Sequence, residues 1–137
     1  MFDPDRFVRA QAPVYDAVLT ELRAGRKRSH WMWFIFPQIA GLGHSEMAQR
    51  FALASRDEAA AYLAHPVLGA RLRECAALVL AAGATADQIF GHPDNMKFHS
   101  SMTLFAAVPG ADPVFGQNLD KYFGGVPDAL TLSRLKE

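Results

Sequence analysis

The chain has 137 residues with 14 basic and 14 acidic side chains, so no net charge draws it to nucleic acid or an anionic membrane. A domain of this length buries roughly 70% of its unfolded surface, enough for a core without a disulfide or metal staple. The single cysteine, Cys75, excludes an internal disulfide, while the charged N-terminus MFDPDRFVRAQ and the short longest apolar run, Trp31 to Phe36, give neither a signal peptide nor a membrane span; a cytoplasmic protein is expected.

Asp3-Pro4-Asp5 can start a short helix carrying Phe7 and Val8, because a carboxylate at the cap accepts orphan amide bonds and proline suits a first turn. From Pro13 to Ala24, Val14, Tyr15, Val18, Leu19 and Leu22 recur at three- and four-residue steps and stop at Gly25, which predicts an amphipathic helix. Ser45 is placed to cap a third helix holding Met47, Phe51 and Leu53. Ser55 with Glu58 matches a capping box ahead of a fourth helix that runs to His65. Pro66 restarts the chain, and Val67, Leu68, Leu72, Cys75, Ala76, Val79 and Leu80 predict a fifth helix ending at Gly83. Thr85 can cap one short turn through Ile89 and Phe90, and further helices are predicted over residues 95–107, 113–123 and 128–135. Strand alternation never persists. The expected fold is one compact all-α domain over residues 1–137, of about seven to nine short helices.

Two segments carry unusual chemistry. The first, GRKRSHWMWFIFPQIAGLG, sets Arg26, Lys27 and Arg28 beside Ser29 and His30 and then six apolar residues, four of them aromatic. Were residues 26–36 helical, about 100° per residue would spread Trp31 to Phe36 around the whole circumference, as in a central core element. His30 and Phe34 would then share a face. Lys27 and Arg28 can meet phosphate or carboxylate, His30 can move a proton, and Trp31 or Trp33 can stack on a flat ring, with Gln38 offering a donor and an acceptor beyond Pro37. Against this stand two plainer readings, a solvated basic loop and a buried aromatic core. Gly41-Leu42-Gly43-His44-Ser45 places two glycines before a helix, where exposed amides favour an anion; ordinary turn chemistry is the competing reading, and the stretch does not continue as a dinucleotide-binding G-x-G-x-x-G.

The second segment, NMKFHSSMTLF, projects Phe98, Met102 and Phe105 into one arc and sets Lys97, His99, Ser100, Ser101 and Thr103 on other flanks. Hydroxyls and an imidazole in place of flexible Glu and Lys predict either a cavity lining or a tight helix crossing, with hydroxyls bonding back to carbonyls one turn earlier. A serine nucleophile lacks both the G-x-S-x-G elbow and an acid to orient His99. The five histidines lack H-E-x-x-H spacing, so no metal is expected, and no other cofactor is implied.

Four separated stretches, RKRSHWMWFIFPQIAGLGHS, AYLAHPVLGARLREC, SSMTLF and LDKYFGG, occur in an order that resembles the bacterial family known as domain of unknown function 1810, from Phe7 to Leu135. The resemblance implies a compact all-α fold of cytoplasmic proteins without an established activity. Members are sometimes labelled calpastatin, but half the residues here are apolar, unlike an extended inhibitor. The resemblance also brings an analogy with helical families that act on ADP-ribose derivatives.

The expected function is binding, with or without processing, of a phosphorylated, nucleotide- or ADP-ribose-like small molecule by Lys27, His30, Trp31, Trp33, Gln38, Lys97, His99, Ser100, Ser101 and Thr103. The alternative is a non-catalytic interaction module or a homodimer joined through an exposed apolar patch. Single-stranded nucleic acid could meet Arg26 to Arg28 and the tryptophans, but zero net charge and the lack of an RNA-binding motif argue against it.

Overall fold

The computed structural model describes residues 2–136. Ten helices form among them: α1 (Pro4–Gln11), α2 (Tyr15–Arg23), α3 (Met32–Ile35), α4 (Glu46–Arg50), α5 (Arg56–Ala64), α6 (Leu68–Ala81), α7 (Ala86–Phe90), α8 (Asp94–Ala106), α9 (Val114–Phe123) and α10 (Ala129–Leu135). No strand accompanies them among the described residues; the extended pairing is an isolated parallel bridge between Ile39 and Leu53.

The helix starts follow the cap chemistry read from the chain. Asp3, Ser45, Ser55 and Thr85 each accept an amide at the start of α1, α4, α5 and α7, satisfying a donor that has no partner inside the helix. At α7 the box is reciprocal, with Gln88 returning to the Thr85 amide at 2.9 Å. At α5 it is displaced by one residue: Glu58 takes the Ala54 amide instead of that of Ser55. The cap of α6 comes from a different source. His65 Nδ1 accepts the amides of Val67 and Leu68, each at 3.2 Å, so the helix begins two residues after Pro66.

The tenth helix, beyond the seven to nine expected, is α3, and it is only four residues long. Trp31 and Phe36 at its ends leave helical geometry, with ψ 5° and 72°. Phe36 precedes Pro37, whose ring disfavours a helical residue before it, and this ends the turn. His30 and Phe34 therefore do not share a helix face, since residues 26–31 lie outside any helix. The helix expected to hold Met47, Phe51 and Leu53 also stops early: Arg50 ends α4, and Leu53 leaves to pair with residues 38–40, donating to Gln38 O at 2.9 Å and accepting from Ala40 N at 2.8 Å.

One buried cluster unites these elements, with α8 through its middle against α5, α7, α9 and α10. Phe98 stacks on Phe90 at 4.7 Å and meets Phe36 edge-on at 5.0 Å, while Phe105 approaches Tyr62 and Phe115. Each such side chain, fully withdrawn from water, contributes about 1.5–3 kcal/mol. Ser100, Ser101 and Thr103 are buried too, so most of α8's small polar residues serve close helix crossing.

A polar thread crosses the apolar interior. Gln11 donates to Phe34 O, a carbonyl left over by the short α3, at 2.7 Å and to the Tyr62 hydroxyl at 2.9 Å, and accepts from Arg71 at 3.3 Å. The large majority of buried amides and hydroxyls in folded proteins are paired in this way.

Candidate functional site

The basic loop after α2 is held from beneath by one carboxylate. Gly25, at φ 72°, turns the chain, and Lys27 N then binds Ile89 O at 2.7 Å. Glu21 accepts from Arg28 N at 2.6 Å, Ser29 N at 2.9 Å, Ser29 Oγ at 2.6 Å and Trp31 Nε1 at 3.1 Å. Burial works to raise the Glu21 carboxyl, but the Ser29 hydroxyl, the two amides and the indole outweigh it and hold the group below the usual carboxylate range. A carboxylate depressed in the fold stabilises above its unfolded pKa, about 4.3, and that contribution fades as pH falls through the folded value. Glu21→Gln is therefore expected to lower the urea midpoint near neutral pH, with the gap to the parent closing in acid; a gap independent of pH would contradict the charge-based role.

This anchoring divides the basic run. Arg26, Arg28 and His30 are exposed, while the Lys27 side chain turns inward to 8% exposure and meets Asp94 Oδ2 at 2.9 Å. Asp94 Oδ1 also faces Lys97 Nζ, at 3.6 Å. The two ammoniums lie over indole faces, Lys27 over Trp31 at 5.1 Å and Lys97 over Trp33 at 5.4 Å. Trp31 is 1% exposed and belongs to the core, whereas Trp33 is half-buried and its indole N–H has no acceptor among the described residues.

Beside Lys97 opens a groove of about 210 Å³ lined by Gln38, Leu42, Gly43, Pro93, Met96, Lys97, His99, Ser100, Asp128 and Leu130. The loop 38–43, the first turns of α8 and the start of α10 each supply one wall. His99 stacks on Phe123 with centroids 4.0 Å apart and rings 9° from parallel, and its Nε2 lies 2.7 Å from Val126 O. A carbonyl only accepts, so Nε2 carries the proton, and Nδ1 makes no hydrogen bond among the described residues. Ser100 Oγ donates to Met96 O and to Asp128 Oδ2, both at 3.1 Å, and Thr103 Oγ1 bonds His99 O and accepts Asp128 N, each at 2.9 Å. These contacts tie α10 to α8, and Asp128 in turn caps α10 through Thr131.

Of the residues proposed from sequence, Gln38, Lys97, His99 and Ser100 thus share the groove, with Lys27 behind them through Asp94 and Trp33 beneath Lys97. His30, Trp31, Ser101 and Thr103 do not line this groove. His30 sits on an exposed loop, Trp31 is core, Ser101 is 0% exposed with an unpartnered hydroxyl, and Thr103 is engaged in helix docking. Among the described residues no histidine ring bonds Ser100, Ser101 or Thr103, and the Ser100 hydroxyl instead meets the Asp128 carboxylate. Sequence reasoning missed Asp94 and Asp128. Asp94 had a signal in its three-residue spacing from Lys97.

Ser45 Oγ takes the Ala48 amide, and the Arg134 guanidinium packs directly on Gly41, donating to its carbonyl at 3.4 Å. A second cavity, also about 210 Å³, lies beside this contact between Ile39, Ala40, Ala54, Ser55, Arg56, Arg134 and Leu135. Cys75 is buried, and burial pushes its thiol up to about 12. Among the described residues no three His, Cys, Asp or Glu gather as metal ligands, and no helix is long and apolar enough to cross a membrane.

Ten helices among the described residues, with α8 packed among α5, α7, α9 and α10 and a groove at its first turns, define a compact all-α protein. Residues 1–135 match the family described as "Protein of unknown function (DUF1810)", and the chain belongs to that family. It is similar to the conserved hypothetical protein Rv1873 from Mycobacterium tuberculosis, whose crystal structure is 53% identical, covers 99% of this chain and 98% of its own, and superposes with a TM-score of 0.97. A search of curated proteins finds no match.

Proposed function

We propose that this protein is a cytoplasmic binder of a phosphorylated small molecule, held in the groove between α8, the loop 38–43 and the start of α10. One observation carries the reading: Gln38 meets Lys97, His99 and Ser100 from a distant part of the chain around one concavity. Lysine suits phosphate as a point charge. Leu42, Pro93, Met96 and Leu130 give an apolar wall for the rest of the ligand, and His99 Nδ1 can accept one of its hydroxyls. At about 210 Å³ the groove is smaller than the usual ligand pocket of roughly 300–1,000 Å³. That size favours a phosphosugar over a larger nucleotide. The role is assigned as binding, without a covalent step.

The test is a thermal-shift panel of phosphosugars, mononucleotides and NAD derivatives. A ligand at a hundred times its Kd adds about 2.7 kcal/mol to stability, a shift of several degrees. Met96 and Leu130, 57% and 67% exposed at the groove, favour a second reading in which another protein or a second copy covers it. A flat panel together with a concentration-dependent dimer in light scattering would replace the first reading by the second.

A further inference from the structure

We infer that Lys97 is an exchangeable cation: Asp94 holds it in the empty groove, and the phosphate of a phosphate monoester displaces Asp94 from its ammonium on binding. This rests on the binding reading above and specifies which charge the ligand meets. The two lysines that share Asp94 are held unequally. Lys27 lies 2.9 Å from Oδ2 with its side chain 8% exposed, whereas Lys97 lies 3.6 Å from Oδ1 with its side chain 25% exposed. The shorter separation is a charge-assisted hydrogen bond, and the longer one is beyond hydrogen-bond reach. Only Lys97 lines the groove.

Asp94 loses little when Lys97 leaves. It keeps the bond to Lys27, and as the first residue of the thirteen-residue α8 that follows Pro93 it sits where the helix dipole favours a negative charge. Lys97 gains, because a phosphate monoester brings up to two charges and three acceptor oxygens against one distant carboxylate oxygen. The acid that lines the groove, Asp128, keeps its charge but is committed to the helix start: its Oδ2 accepts from Ser100 Oγ, Thr131 N and Thr131 Oγ1. Asp94 therefore acts as an internal competitor. It keeps the lysine in place and screens it from weak anions, so a singly charged carboxylate of the same size is a poor ligand.

The inference is tested with ribose 5-phosphate, and gluconate as the carboxylate control, by titration calorimetry on the parent, Lys97→Ala, Asp94→Asn and Lys27→Met. Lys97→Ala is expected to weaken ribose 5-phosphate about tenfold or more, by loss of a charged hydrogen bond. Asp94→Asn should tighten it about two- to fivefold, and Lys27→Met should weaken it by a similar factor, because Asp94 then has only Lys97 to hold. The methionine is close in size to lysine and should keep the fold if Asp94→Asn does not. Binding should also change tryptophan emission in the parent and not in Trp33→Phe, since Lys97 lies over that ring. No response of the parent to ribose 5-phosphate overturns the binding reading and this inference together. Binding that Asp94→Asn fails to tighten and Lys27→Met fails to weaken, or equal binding of gluconate, overturns the exchange while the binding reading stands.

Discussion

Trp31→Ala is expected to lose about 3–5 kcal/mol of stability, the range for truncating a large buried aromatic. The ring is 1% exposed, packs 6.2 Å from Phe36 and carries Lys27 over its face, while its indole N–H is one of four donors on Glu21. Truncation therefore opens a cavity beside the aromatic cluster and also loosens the carboxylate that orders residues 28–31. Against a total of about 5–15 kcal/mol, the loss is enough to leave the variant partly unfolded at moderate temperature. Trp33→Ala is the control. Its ring is half-buried and its indole N–H has no acceptor among the described residues, so removal also relieves a desolvated donor and the loss should be about 1–2 kcal/mol. Urea unfolding followed by far-ultraviolet circular dichroism reads both variants; a larger loss for Trp33→Ala would reverse the assignment of core and margin.

The caps and periodic stripes show which part of this fold was legible in the chain. Asp3, Ser45, Ser55 and Thr85 act within three residues of themselves, so local sequence is sufficient to place them. The stretch Trp31 to Phe36 was legible as core but not as shape. Its apolar content shows burial, while the length of α3 depends on Pro37 and on Gln11, a residue from another helix that takes the Phe34 carbonyl. The site followed the same division. Lys97, His99 and Ser100 are neighbours in sequence, and their residue types left a cavity lining and a tight helix crossing both open. The meeting with Gln38 is tertiary, and the sequence could only raise it as a question. Asp94 and Asp128 escaped notice because each resembles a helix-start acid, a role that both also fill; their second contacts, to Lys27 and Ser100, cross between elements far apart in the chain. His30 is the opposite case. Its proximity to Lys27 in sequence carried it into the candidate set, and the anchoring of the loop by Glu21 sends the two side chains to different environments, one exposed and one buried.

Gly69→Ala is expected to destabilise the protein by about 1–3 kcal/mol, although alanine is the better helix former by about 0.8–1.0 kcal/mol. Gly69 is buried in the first turn of α6, where α5 has just ended at Ala64. A Cβ at this position would fall far inside van der Waals contact of the Leu63 carbonyl oxygen, and 2.9 Å from both the Leu63 carbonyl carbon and Arg73 Nη1. The obstacle is backbone and cannot rotate aside. Leu63 O is moreover held by Arg73 Nη2 at 3.1 Å, a bond that supplies a donor to one of the carbonyls left open at the end of α5. Relief requires α5 and α6 to move apart, which would disturb the buried Tyr62, Leu63, Leu68 and Leu72 together. The steric cost exceeds the propensity gain, so the sign is set by contact and not by helix preference. Gly116→Ala isolates the opposite case: it lies inside α9 with nothing within 4 Å of its would-be Cβ, and should gain about 0.4–1 kcal/mol. Urea midpoints should therefore move in opposite directions for the two substitutions. A neutral or stabilising Gly69→Ala would mean that the corner between α5 and α6 yields freely, and the close approach of the two helices would lose its role in holding α6 against the core.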